Sequence, residues 1–264
     1  MPVFEFSTSC RIHYLDENES SSFPVLLIHG LGANSKSWLF QIPALQQVGF
    51  RIIAPDSTGF GQSTYPGGRA RISRFVDPIA ALIDKLQVQH IDVVGISMGG
   101  TMAMQLALDH PQLVSRLVLV NTFAHLDIYS LQSLPYFLSR FILVHTLGLP
   151  TQAKGVAKHI FPHPDQEILR QGLIDQVLQA DPRAYRAAMR ALAWFDVRKR
   201  LGEIWCPTLI ITGECDTTVP IETQTHLADG IKGAQQRIIP DAGHGVTVER
   251  PDIFNQVLVE FLSS

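Results

Sequence analysis

Gly95-Ile96-Ser97-Met98-Gly99-Gly100 follows the apolar run Ile91-Asp92-Val93-Val94 and leads into Thr101-Met102-Ala103-Met104-Gln105-Leu106-Ala107-Leu108, a helix-like stretch. A Gly-x-Ser-x-Gly in this setting predicts a strand that turns sharply into a helix and lifts one hydroxyl out of the sheet. The turn strains the serine backbone, and strand and helix pass too closely for side chains between them, so the flanking positions call for glycine. A Gly-rich turn that cradles a phosphate has the same appearance. The choice depends on whether the rest of the chain supplies a base, an acid and an oxyanion hole.

Outward from this turn, strand and helix signals alternate. On its N-terminal side, Val25-Leu26-Leu27-Ile28 reads as a buried strand ending in His29-Gly30-Leu31-Gly32. Ala33 to Gln47 then reads as a helix, with Trp38 and Leu45 on its apolar side. Phe50 to Ala54 is a second buried strand, followed by Pro55-Asp56 and a loop through Gly59, Gly61 and Ser63. Phe75, Ile79, Leu82, Ile83 and Leu86 have helical spacing, which places a helix over Ser73 to Leu86 with Pro78 expected in its first turn. Val3 to Tyr14 reads as an edge hairpin.

On the C-terminal side, strands are expected at Leu117–Val120, Leu209–Ile211 and Arg237–Ile239, and helices at Thr223–Ile231 and Ile253–Leu262. This alternation predicts an α/β chain with a mostly parallel, doubly wound sheet and right-handed crossovers. Residues 123–195 break the pattern. They hold no convincing strand and read as short helices punctuated by Pro135, Pro150, Pro162, Pro164 and Pro182. The expected organisation is therefore one core, 1–122 with 196–264, carrying a helical insertion at 123–195. Part of the insertion's aromatic content should face the core, and the expected pocket residues are Trp38, Phe123, Tyr129, Phe137, Trp194 and Val219.

Composition narrows the classes. Over 264 residues, 46% are hydrophobic and 17% charged, enough for a large buried core and inconsistent with disorder. The formal net charge is −3 with no basic run, so nucleic acid finds no electrostatic footprint. No apolar run approaches the roughly 20 residues of a membrane span, and Met1 to Ser7 lacks a secretory pattern. The three cysteines, Cys10, Cys206 and Cys215, form no disulfide frame, which fits a cytoplasmic location. Neither Cys-x-x-Cys nor His-Glu-x-x-His occurs, so the sequence offers no zinc motif and no metal site is expected.

In an open parallel sheet, functional groups gather beyond the carboxyl ends of the strands. Leu31, Ser97, Asp216 and His244 all fall there. A serine hydroxyl needs a neighbouring base, itself oriented by a third group. Of the ten histidines, His244 alone lies in a glycine-bracketed loop directly after a strand. Asp216 is the leading carboxylate to orient it, with Glu214 and Asp241 in competition and an N-cap role as the plain alternative for Asp216. The expected oxyanion donors are the backbone N–H groups of Met98, at a helix N-terminus, and Leu31.

These residues carry a resemblance. His29-Gly30-Leu31-Gly32 with Trp38, Asp56-x-x-Gly59-x-Gly61-x-Ser63, Gly95 to Gly100, Gly213-x-x-Asp216 with Pro220, and Gly243-His244 before Glu249-Arg250-Pro251 are similar to the motifs of the α/β-hydrolase superfamily, in its serine esterase and lactonase branch. The order Ser97, Asp216, His244 also matches. The resemblance implies a serine hydrolase acting on a small carboxylic ester or lactone through an acyl-enzyme, without metal or organic cofactor, with residues 123–195 as a cap. A C–C bond hydrolase or thioesterase would use the same three residues, and a non-catalytic ligand receptor would keep the same fold. Relatives that cleave C–C bonds commonly carry an aromatic residue after the histidine, where this chain has Gly245.

Overall fold

The computed structural model describes residues 1–126 and 134–264, and for 134–137 the backbone alone. In chain order, the first strands are β1 (Val3–Ser7), β2 (Cys10–Glu17) and β3 (Pro24–Ile28), followed by α1 (Gln41–Gln47), β4 (Arg51–Pro55) and α2 (Ser73–Lys85). Next come β5 (Ile91–Ile96), α3 (Met98–Asp109) and β6 (Val114–Val120). Among the described residues, four helices follow before the next strand: α4 (Leu134–Thr146), α5 (Gly148–Ile160), α6 (Glu167–Val177) and α7 (Pro182–Ala193). The alternation resumes with β7 (Thr208–Gly213), α8 (Ile221–Gly230), β8 (Gln235–Ile239), α9 (Val246–Glu249) and α10 (Pro251–Leu262).

The eight strands of the described residues form one sheet in the order β1-β2-β4-β3-β5-β6-β7-β8. β2 pairs antiparallel with β1 and β4, and every other pairing is parallel. The period-two geometry of a strand explains how so many apolar residues are used. Val25 and Leu27 face one side of the sheet, against Leu45 of α1 and Phe254 and Leu258 of α10. Leu26 and Ile28 face the other, in one core with Ile79 of α2 and Met102 and Leu106 of α3, which extends to Leu227 of α8 over the far strands. Continuous apolar runs are what a sheet covered on both faces requires. The result is a doubly wound α/β fold. Among the described residues, no helix is long and apolar enough to cross a membrane.

Two expected helices differ in detail, both because of proline. The stretch Ala33 to Gln47 splits into a 3-10 turn, Ser35–Trp38, and the short α1. Pro43 has no N–H for the carbonyl of Leu39 and its ring would clash there, so an unbroken helix is excluded. In α2, Pro78 lies beyond the first turn, so the Arg74 carbonyl loses its usual intrahelical donor. The buried Phe75, Ile79, Leu82 and Ile83 stabilise this helix regardless.

At the N-terminal end of β5, Asp92 is buried with its Oδ2 3.6 Å from Arg116 Nη1, and its Oδ1 has no hydrogen-bond partner. Burial pushes its carboxyl up to about 6, against the opposing pull of Arg116. A folded-state value above the unfolded one means that the folded chain holds the proton more tightly. Stability from this group is full at acid pH and is lost as pH rises through about 6. Asp92→Asn removes the buried charge, so the variant should gain on the order of 2 kcal/mol over wild type at pH 8, and the gap should narrow toward pH 5. Denaturant melts of both proteins across that range measure it. A gap independent of pH would show that the Asp92 charge is not the cause.

Candidate active site

The turn between β5 and α3 is the tightest in the sheet. Ser97 has φ 55° and ψ −116°, a strained conformation for a residue with a side chain. Its backbone is held from several directions. Ser97 N–H donates to the Val120 carbonyl at 2.9 Å, and its own carbonyl accepts from Thr122 Oγ1 at 2.7 Å and from the N–H of Gly100 at 3.0 Å. A Cβ at Gly99 would collide with the Ile28 carbonyl oxygen, so the glycine lets α3 start against the end of β3. Met98, first residue of α3, is fully buried, and its N–H is one of the unsatisfied donors of a helix N-terminus.

The β7 and β8 ends bring two more expected residues together. His244 Nδ1 lies 2.9 Å from Asp216 Oδ2, with both side chains nearly inaccessible to solvent. Asp216 Oδ1 accepts from the N–H groups of Thr218 at 2.8 Å and Val219 at 3.0 Å, which orients the carboxylate. A carboxylate only accepts, so Nδ1 of His244 carries the hydrogen, which leaves the Nε2 lone pair free whenever the ring is neutral. Of the competing acids, Glu214 accepts from the N–H of Asp241 at 3.2 Å, and both lie at the surface.

Sequence reasoning assigned no role to the side chains that hold these loops, although Glu249 falls in one of the matching motifs. Asn121, fully buried at the end of β6 with φ 43°, accepts from Gly213 N–H at 2.8 Å. Its amide donates to the carbonyls of Gly243 at 3.0 Å and His244 at 2.9 Å. One side chain thus ties the end of β7 to the histidine loop. Glu249 holds that loop from outside: Oε2 accepts from Gly243 N–H at 2.8 Å, and Oε1 from Gln166 Nε2, also at 2.8 Å, in the turn between α5 and α6. Burial pushes the Glu249 carboxyl up, opposed by these two hydrogen bonds. The only sequence signal for Asn121 is its place directly after a strand.

His29 and Asp56 brace the Leu31 turn. His29 Nε2 accepts from Ser57 N–H at 2.9 Å, so Nδ1 is the donor to the Gly30 carbonyl at 2.8 Å. Burial lowers the pKa of His29, consistent with a neutral ring. Asp56 accepts from Ser35 N–H and Gln62 N–H, both at 2.9 Å, which joins the loop after β4 to the loop after β3.

Ser97, His244 and Leu31 line one cavity of about 350 Å³ beneath α5 and α6. Phe123 and Val219 line it as expected. Trp38 and Trp194 do not. Trp38 is fully buried on the opposite side of the sheet, with Leu45 and Phe254, because its 3-10 turn folds it under α1. Trp194 caps α7 off the stripe formed by Ala184, Ala187, Ala188 and Ala191, and it is 77% exposed. Tyr129 and the side chain of Phe137 lie outside the described residues. At Gly245 a Cβ would come within 2.5 Å of Phe161 Cε1, so Phe161 fills the space an aromatic side chain after His244 would need. Among the described residues, no group of three or more His, Cys, Asp or Glu side chains is placed to hold a metal ion.

A sheet in this order, with a helical segment between β6 and β7 and a strained serine between β5 and α3, defines a class, and the chain belongs to the α/β-hydrolase family. Residues 24–149 match the model of the alpha/beta hydrolase fold. The chain is 32% identical over 261 residues to a protein of Variovorax paradoxus (strain S110) named a putative carbamate hydrolase, RutD, and the match covers 96% of both. The crystal structure of the enol-lactonase from Burkholderia xenovorans LB400 is similar at TM-score 0.91 and 26% identity, covering 100% of both chains. A thermophilic esterase from Thermogutta terrifontis is similar at TM-score 0.86 and 27% identity, covering 100% of this chain and 97% of that one.

Proposed function

We propose that this protein is a serine hydrolase that cleaves a small carboxylic ester or lactone through an acyl-enzyme. The observation that carries the reading is the 2.9 Å contact of His244 Nδ1 with Asp216 Oδ2 beside a cavity that both His244 and Ser97 line. In the first half-reaction, Ser97 Oγ attacks the carbonyl carbon while His244 Nε2 takes the hydroxyl proton. The carbonyl π pair moves onto oxygen, where the N–H groups of Met98 and Leu31 stabilise the charge. Collapse expels the alcohol oxygen, which takes the proton from His244. In the second half-reaction, water attacks the acyl-enzyme, gives its proton to His244, and releases the acid and Ser97 hydroxyl.

Residues 123–195 act as the cap, and Phe161 beside Gly245 favours this reading over C–C bond cleavage. Relatives named a carbamate hydrolase, an enol-lactonase and an esterase all carry hydrolase names, which supports hydrolysis as the reaction class. A fluorophosphonate probe should label the wild-type protein at Ser97. Assays should find turnover on p-nitrophenyl esters or simple lactones exceeding that on acyl-CoA, carbamate and ring-fission dienone substrates. Absence of labelling, beside a control esterase that labels, would overturn the reading.

A further inference from the structure

Single exposed apolar side chains are ordinary on any protein surface. Leu39, Phe40 and Ile168 differ because all three line the mouth of the Ser97 cavity, at 57%, 41% and 85% exposure. They come from separate parts of the chain. Leu39 and Phe40 occupy the break before α1 that Pro43 enforces, and Ile168 stands in the first turn of α6. Inward from them the wall stays apolar, through Val156 and Phe161 to Phe123. Other large exposed apolar residues, such as Phe23 and Trp205, do not line this cavity.

Among the described residues that line the cavity, apolar side chains outnumber polar ones. Arg140 donates to Tyr185 Oη at 3.0 Å, His244 is bound to Asp216, and Lys36 is exposed. A volume of about 350 Å³ lies at the small end of the range for small-molecule sites, roughly 300–1,000 Å³. A chain too long for that space emerges at the mouth and meets Leu39, Phe40 and Ile168.

We infer that this rim is a subsite for an unbranched hydrocarbon chain carried by the ester, so that the substrate is a medium-chain ester or lactone. The inference rests on the proposed hydrolase reading, and continuity with the Ser97 cavity selects a substrate chain over a partner protein as occupant. Each methylene buried there should raise kcat/KM about fourfold.

Two ester series test it: p-nitrophenyl alkanoates from acetate to decanoate, and alkyl acetates from methyl to decyl. They carry the same chain on opposite sides of the ester oxygen. Wild type should show kcat/KM rising with chain length in one series, which assigns the chain to the acyl or the alcohol side. The double variants Leu39→Ala/Ile168→Ala and Leu39→Asp/Ile168→Asp should lower the ratio of the eight-carbon to the two-carbon substrate by about tenfold or more, mainly through KM, with Asp the stronger. A wild-type rate that falls with length in both series, or ratios within about twofold of wild type in both variants, would overturn the subsite. Turnover of acetate with such ratios leaves the hydrolase reading intact. Loss of all ester turnover and of fluorophosphonate labelling in wild type removes both.

Discussion

Ser97→Ala should lower ester turnover by about six orders of magnitude while leaving the melting curve close to wild type. The serine's two contributions are separable in this structure. Its backbone holds the turn, through the bond to Val120 and those from Gly100 and Thr122, and alanine keeps all of them. Alanine also has the same Cβ in the same φ 55° conformation, so the stored strain is unchanged. Only the hydroxyl is removed, and with it the atom proposed to form the acyl-enzyme. The N–H groups of Met98 and Leu31, the proposed oxyanion donors, stay in place and on that reading should retain roughly 10³–10⁴-fold rate enhancement over water. The measurement is kcat on a p-nitrophenyl ester beside a thermal melt. A variant that kept a tenth of the rate would exclude Ser97 as the nucleophile. Lost activity with a collapsed melt would instead assign the hydroxyl a structural role.

The parts of this molecule that were legible in the sequence are those where local chemistry admits one answer. The run Val25 to Ile28 reads as a strand covered on both faces because it is apolar throughout, too short for a helix, and stopped at once by Gly30 and Gly32. The glycines around Ser97 announce a turn because a Cβ at Gly99 has no room beside Ile28. The approach of Asp216 to His244 was legible once both fell at strand ends, since topology brings such ends into one crevice. Pocket composition was not legible, because it depends on how one element lies on another. The aromatic character of Trp38 and Trp194 says nothing about direction. Pro43 breaks the helix and sends Trp38 into the core, and Trp194 falls one step outside the apolar stripe of α7. Gln166 and Glu249 are 83 residues apart, and no local pattern announces their bond. Leu39, Phe40 and Ile168 each look like ordinary core residues until the cavity mouth is visible.

Asn121 is the sharpest case of a residue that only the three-dimensional arrangement explains. Asn121→Gly isolates its amide, because glycine adopts φ 43° without strain and leaves the backbone path open. The substitution strips partners from the buried Gly213 N–H and His244 carbonyl and from the half-buried Gly243 carbonyl. Each orphaned group costs about 1–3 kcal/mol, partly recovered by water entering the vacated space, so a net loss on the order of 3 kcal/mol is expected. The kinetic effect should be distinct from the stability effect. The lost bonds set the height of the histidine loop against the end of β7, where Asp216 begins, so kcat should fall about tenfold to a hundredfold with KM little changed. Asn121→Asp sharpens the test. Its carboxylate still accepts from Gly213 N–H, yet it turns a second oxygen toward two carbonyl oxygens and repels the loop it should hold. Activity should therefore rank Asn above Gly above Asp, measured well below each variant's melting temperature. If Asn121→Gly melts early but keeps kcat within about twofold of wild type, the amide stabilises the fold without positioning His244, and the loop must be held by Glu249 and the sheet alone.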